Sequence, residues 1–171
     1  MLEIEKKWLL REIPDLTQYG FKELKKETIF QTYLSESERL RRIASTEHPG
    51  KTVYKHFKKT YVAKGACTEE PKDITEEEYT ELFNNSGIAD LVKGRTTWLD
   101  PEGVYEYEVD YIHYRYPDIS IGLLEIEFQK NFKTMEEIDA AFKLPDFMDK
   151  YVLMDVTGNP KFTNFNLARK R

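Results

Sequence analysis

The residues able to do chemistry come in rows two apart. Carboxylates repeat at Glu3 and Glu5, at Glu106, Glu108 and Asp110, and at Glu125 and Glu127; cations repeat at Arg39 and Arg41 and at Lys93 and Arg95. Residues two apart share one face of a β-strand and are splayed around a helix. For any single row, a solvated sheet face is the ordinary explanation. Two features favour a shared interior. Lys6 and Arg42 sit on the faces opposite the Glu and Arg rows, so neither side of those strands is purely apolar. Each row also carries one sign, and carboxylates 4 Å apart repel by roughly 4 kcal/mol at an effective dielectric of about 20. A divalent cation relieves such carboxylates, and a polyanion relieves the Arg and Lys rows. Hard cations such as Mg²⁺ bridge carboxylates to substrate phosphates, and guanidinium pairs match phosphate geometry. A closed barrel sends alternate residues of every strand into one lumen. The residues alone therefore point to metal-dependent chemistry on a phosphate-rich substrate inside a β-barrel. No P-loop, nucleophile elbow or zinc motif is present, so side chains must hold the phosphate.

Composition agrees. A chain of 171 residues with 40% hydrophobic content suits one domain, 1–171, with a real core. A net charge of −5 argues against general nucleic-acid binding, and no DNA partner is expected. The single cysteine, Cys67, excludes an internal disulfide and a cysteine-based zinc site, and His48, His56 and His113 are scattered. With no apolar leader and no run of about 20 apolar residues, a soluble cytoplasmic protein without a membrane partner is expected. A homodimer stays open.

The elements that must position these rows read as a mainly antiparallel sheet with two inserted helices. After a first strand at 3–10, strand patterns cover 29–34, 38–43 and 52–62, the last two forming a hairpin. Residues 63–74 read as polar and irregular. Thr75 with Glu78 forms a capping box for a helix ending near Gly87, and Thr134 with Glu137 forms a second, closed by Pro145. Between them, 91–99, 104–114 and 121–128 read as strands. Tyr105, Tyr107 and Tyr111 alternate with the acidic row and should face helices outside the sheet. Trp8, Tyr33 and Trp98 read as packing residues rather than base-stacking platforms, and Cys67 as incidental.

These motifs resemble the CYTH superfamily, or triphosphate tunnel metalloenzymes. The N-terminal Glu-x-Glu-x-Lys is matched by Glu3, Glu5 and Lys7. Arg39-Leu40-Arg41, Lys93-Gly94-Arg95, Glu108-Val109-Asp110 and Gly122 through Glu127 follow in the family's order, and residues 156–168 resemble the closing segment of short bacterial members. The resemblance covers nearly the whole chain. It implies an α+β fold, a closed eight-stranded antiparallel β-barrel with helices packed outside. Carried over residue by residue, it places Glu3, Glu5, Asp110, Glu125 and Glu127 at Mg²⁺ or Mn²⁺, with Glu108 assisting. Lys7, Arg39, Arg41, Lys58, Lys93 and Arg95 would bind the triphosphate, and Glu5, Lys7 and Glu127 would carry catalysis. Where the family has Thr-x-Lys this chain has His56-Phe57-Lys58, which leaves Lys55 as the alternative to Lys58. Glu69 fits a tunnel position whose usual glutamate partner is displaced by Pro71. Lys161 could reach the site from the tail, and Glu106 reads as a rim residue.

The resemblance implies a metal-dependent triphosphatase acting on inorganic triphosphate. Thiamine triphosphate or nucleoside triphosphates are alternative substrates, class IV adenylate cyclase is an alternative activity, and a non-catalytic polyphosphate-binding or nucleotide-binding module is a third reading.

Overall fold

A computed structural model describes residues 1–171. Eight strands close on themselves: β1 (Leu2–Leu10), β2 (Lys22–Tyr33), β3 (Glu38–Ser45), β4 (Thr52–Ala63), β5 (Ala66–Asp73), β6 (Ala89–Leu99), β7 (Glu106–Tyr114) and β8 (Ile119–Glu127). Around the barrel the order is β1-β8-β7-β6-β2-β3-β4-β5, with β5 returning to β1 and every pairing antiparallel. Helices α1 (Glu76–Ser86) and α2 (Met135–Ala141) lie outside. A tail of β9 (Val152–Asp155), the short α3 (Asn164–Leu167) and β10 (Arg169–Lys170) completes the chain, with β9 on β1 and β10 on β6. No helix is long and apolar enough to cross a membrane.

Alternation along each strand turns one set of side chains outward. Trp8 and Leu10 of β1, Trp98 of β6, Tyr107 and Val109 of β7, and Leu124 and Ile126 of β8 form the main apolar core on the outer wall, under Ile138 of α2 and Met148. Fully burying a side chain such as Ile138 contributes about 1.5–3 kcal/mol, and such contacts hold α2 to the barrel. A second cluster fills one end of the lumen: Leu91, Ile112 and Leu123 meet Val156 and Ala168 of the tail, with Phe165 packed against them. The outer wall and one lumen end thus supply the core, which frees the rest of the lumen for charge.

Several expectations need correction. Residues 66–73 are a regular strand rather than irregular. β1 pairs with Ala66–Thr68 and Met1 bonds the Glu69 backbone, so beyond Glu69 one side of β5 is an unpaired edge, where proline is tolerated. The first capping box is complete. In the second, Thr134 caps the Glu137 amide, but the Glu137 carboxylate accepts from the Lys133 amide instead. Three helices are present rather than two. Tyr105 and Tyr107 pack in the outer core, whereas Tyr111 is exposed and hydrogen-bonds Ser120.

Candidate functional site

The barrel interior encloses a cavity of about 350 Å³. Register decides what lines it. Glu5 stands opposite Glu127 and Lys7 opposite Glu125 across β1 and β8, and Glu108 stands opposite Glu125 across β7 and β8. The carboxylates therefore gather on the β1-β8-β7 wall. Arg39 and Arg41 come from β3 and Lys59 from β4, on the other side of the barrel, with Glu69 of β5 between Lys59 and the acidic wall. The tail closes part of one mouth, where Asn159, Thr163, Asn164 and Asn166 join the lining.

Part of this charge is internally neutralised. Arg39 Nη2 lies 2.8 Å from Glu69 Oε2. Lys7 Nζ lies 3.2 Å from Glu125 Oε1 and donates to the Phe162 carbonyl at 3.3 Å. Arg95 pairs with Glu108 and reaches Glu125 at 3.4 Å. Burial opposes the charged form of Glu125, but Lys7, Arg95 and Lys93 outweigh it and hold the carboxyl well below its usual range.

The remainder is incompletely balanced: Lys59 approaches Glu3 only at 3.9 Å, and Glu108, although paired with Arg95, is crowded by Glu125 and Glu127. Burial, then Glu69 and Glu127, pushes Glu3 up to about 7. Burial and Glu125 push Glu5 up. Glu108 rises to about 8 because burial outweighs its contact with Arg95. Arg41 donates Nε to Gln31 Oε1 at 2.8 Å and has no carboxylate partner; burial, Arg39 and Arg95 push it down to about 10. Crowded carboxylates that resist ionisation and a guanidinium without a counter-ion are complementary needs. A hard cation answers the first and a polyanion the second.

The structure brings most of the expected residues to this cavity and places five elsewhere: Lys55, Lys58, Lys93, Asp110 and Lys161. Lys58 pairs with Glu38 and is exposed on the outer face, as alternation requires once Arg39 is opposite Phe57; Lys59 takes the interior position. Burial opposes the charge of Lys59, but Glu5 holds its ammonium above the ordinary value. Lys55 shares the interior parity but sits at the far end, 3.3 Å from Asp73, outside the cavity lining. Lys161 is exposed and does not line the cavity. Asp110 and Lys93 are 0% and 1% exposed and lie behind the cavity wall. Asp110 accepts from Lys93 at 2.8 Å and from Arg95 at 2.6 and 2.8 Å. Engaged by two cations and outside the cavity lining, Asp110 reads as a structural counter-ion rather than a metal ligand. Glu106 is exposed at the rim of a smaller recess shared by Glu108 and Glu127. Cys67 lines the cavity beside Glu3, with burial pushing its thiol up to about 11, so it stays protonated.

Glu3, Glu5 and Glu127, with Glu108 and Glu125 beside them, offer the all-oxygen donors that Mg²⁺ or Mn²⁺ takes. No three of the acidic, His or Cys groups converge into a preformed cation cage. A cation held there would need further oxygens from a ligand or water.

No protein-family model matches the sequence, and no characterised sequence matches it. Solved structures do. The inorganic triphosphatase NE1496 superposes with a TM-score of 0.56 at 21% identity, over 97% of this chain and 93% of that one. The protein PH1012 from Pyrococcus horikoshii OT3 superposes at 0.54 and 17% identity, over 81% of this chain and 84% of that one. This chain has the triphosphate tunnel fold. What the tunnel fold provides here is the closure that brings β3, β4 and β5 round to face the β1-β8-β7 carboxylates across one cavity.

Proposed function

We propose that this chain is a divalent-cation-dependent triphosphatase of the triphosphate tunnel family, with inorganic triphosphate as its substrate. The observation that carries the reading is the division of incompletely balanced charge within one cavity: Arg41, with a glutamine but no carboxylate partner, on one side, and Glu3 and Glu5, crowded by Glu69, Glu125 and Glu127, on the other. A triphosphate carries the negative charge the first lacks and recruits the cation the second lacks.

In this reading Arg39, Arg41, Lys59 and Lys7 bind phosphoryl oxygens, and Glu3, Glu5 and Glu127 hold Mg²⁺ or Mn²⁺. When bound, the cation supplies charge neutralisation and an acidified water for attack in line with the leaving phosphate. The chain's own contribution is positioning. Fixed guanidinium and ammonium groups align the anion without having to reorganise. Lys93 acts from behind through Asp110, and Arg95, which lines the cavity, holds Glu108 and Glu125 in place. The name of NE1496 as an inorganic triphosphatase supports the choice of substrate.

The test is a panel of inorganic triphosphate, ATP and thiamine triphosphate with Mg²⁺ or Mn²⁺, read for released phosphate and for cyclic AMP. Phosphate release that is greatest with inorganic triphosphate is the expected result. Cyclic AMP as the main product from ATP would replace the hydrolase reading with the cyclase one. Tight binding of triphosphate without release would favour the binding module.

A further inference from the structure

Gln31 of β2 is 1% exposed and is bonded at both ends of its amide. Its Oε1 accepts from Arg41 Nε at 2.8 Å, and its Nε2 donates to the Tyr33 hydroxyl oxygen at 2.7 Å. The polarity of this relay is set by chemistry. A guanidinium has donors only, so the end of the amide that meets Arg41 must be its oxygen. The end that meets Tyr33 is then the NH₂ group, and the phenol oxygen is an acceptor. Arg39, which lines the same cavity, brings only donors. The Tyr33 proton must point elsewhere, and the side chain lines the cavity. No protein acceptor takes that proton. The ring itself is held edge-on by Phe165 of α3, with centroids 5.2 Å apart.

We propose that Gln31 is a positioning residue that fixes Arg41 and turns the Tyr33 hydroxyl proton into the cavity, as a hydrogen-bond donor to a phosphoryl oxygen of the substrate. The proposal rests on the triphosphatase reading and adds a neutral donor to its cationic ones. It also explains a buried glutamine among charged residues. A glutamate at position 31 would neutralise Arg41 and draw the Tyr33 proton back to itself, whereas the amide leaves both donors free for the ligand.

The test is a double-mutant cycle of Tyr33→Phe and Gln31→Glu, read by kcat and KM for inorganic triphosphate with Mg²⁺ and by calorimetric binding of triphosphate. A hydrogen bond to a charged group supports about a tenfold loss in kcat/KM for Tyr33→Phe alone. In the Gln31→Glu background the hydroxyl already points away from the cavity, so Tyr33→Phe should cost less than about twofold. Gln31→Glu alone should raise KM, because Arg41 acquires a carboxylate partner. If Gln31→Glu does not fold, Gln31→Met serves in the same cycle; it removes both relay bonds, so Tyr33→Phe should again cost less than in the wild type. An equal cost of Tyr33→Phe in both backgrounds overturns the relay while wild-type turnover keeps the triphosphatase reading. A folded wild type that neither binds nor hydrolyses triphosphate overturns both.

Discussion

Two clusters of charge share the barrel interior and meet different fates. Around Asp110, Lys93 and Arg95 donate to both carboxylate oxygens, and all three side chains are at most 9% exposed. Around Arg41 and Glu5, the guanidinium finds only a glutamine, and the carboxyl is crowded by Glu125. Both clusters come from rows with the same two-residue spacing. A row becomes structural where the neighbouring strand places an opposite charge at the same level, as β7 does when Asp110 meets Arg95. It becomes available to a ligand where the neighbour is neutral or of like charge, as with Gln31 opposite Arg41 and Glu127 opposite Glu5.

The largest effect should come from breaking the closed cluster. Asp110→Ala leaves the buried Lys93 without a carboxylate partner and takes from Arg95 its closest one, and urea unfolding should show a loss of about 3–5 kcal/mol. A loss below about 1 kcal/mol would remove the distinction between the clusters. Glu5→Gln makes the converse change: cation-dependent triphosphate hydrolysis should fall by about a hundredfold or more, while the thermal midpoint stays level or rises because a crowded carboxylate is gone. Retained activity would remove Glu5 from the cation site.

Smaller effects sharpen the boundary of the site. Arg41→Ala should raise KM for triphosphate about tenfold, the value of one charge-assisted hydrogen bond. Lys58→Ala should leave KM within about twofold, and Lys59→Ala should raise it; the reverse ranking would move the β4 register. A further effect is on pH. Folding raises the Glu3 and Glu108 carboxyls to about 7 and about 8, so the folded state binds protons that the unfolded state has released. Their contribution to stability is fully present below about pH 4.5 and is lost as pH rises through 7 to 8. The thermal midpoint of the cation-free protein should therefore fall between pH 5 and pH 8, and saturating Mg²⁺ with triphosphate should flatten that fall.

The fold was largely legible because seven of the strand faces announce themselves by alternation and turn residues. β5 was hidden by Pro71 and by a run of charge that an edge strand tolerates. Parity on β4 was misread for a specific reason. Phe57 faces the charged interior because the guanidiniums of Arg39 and Arg41 stack on its ring at 5.2 and 5.0 Å, so the usual apolar-in, polar-out signal is inverted there. Asp110 could not be separated from Glu108 by spacing, since both share a face and only the β6–β7 register shows which one meets Arg95 squarely. Asn159, Thr163, Asn164 and Asn166 enter the cavity from irregular and short helical tail segments, which carry no periodicity to reveal an inward face. Gln31 was missed because one neutral amide among charges gives no row.

The most direct measurement is phosphate release from inorganic triphosphate by the wild-type protein, with Mg²⁺ or Mn²⁺ and again with a chelator. Release with either cation and none with the chelator is the predicted result. A folded protein that releases no phosphate with either cation, or the same amount without them, would contradict the account.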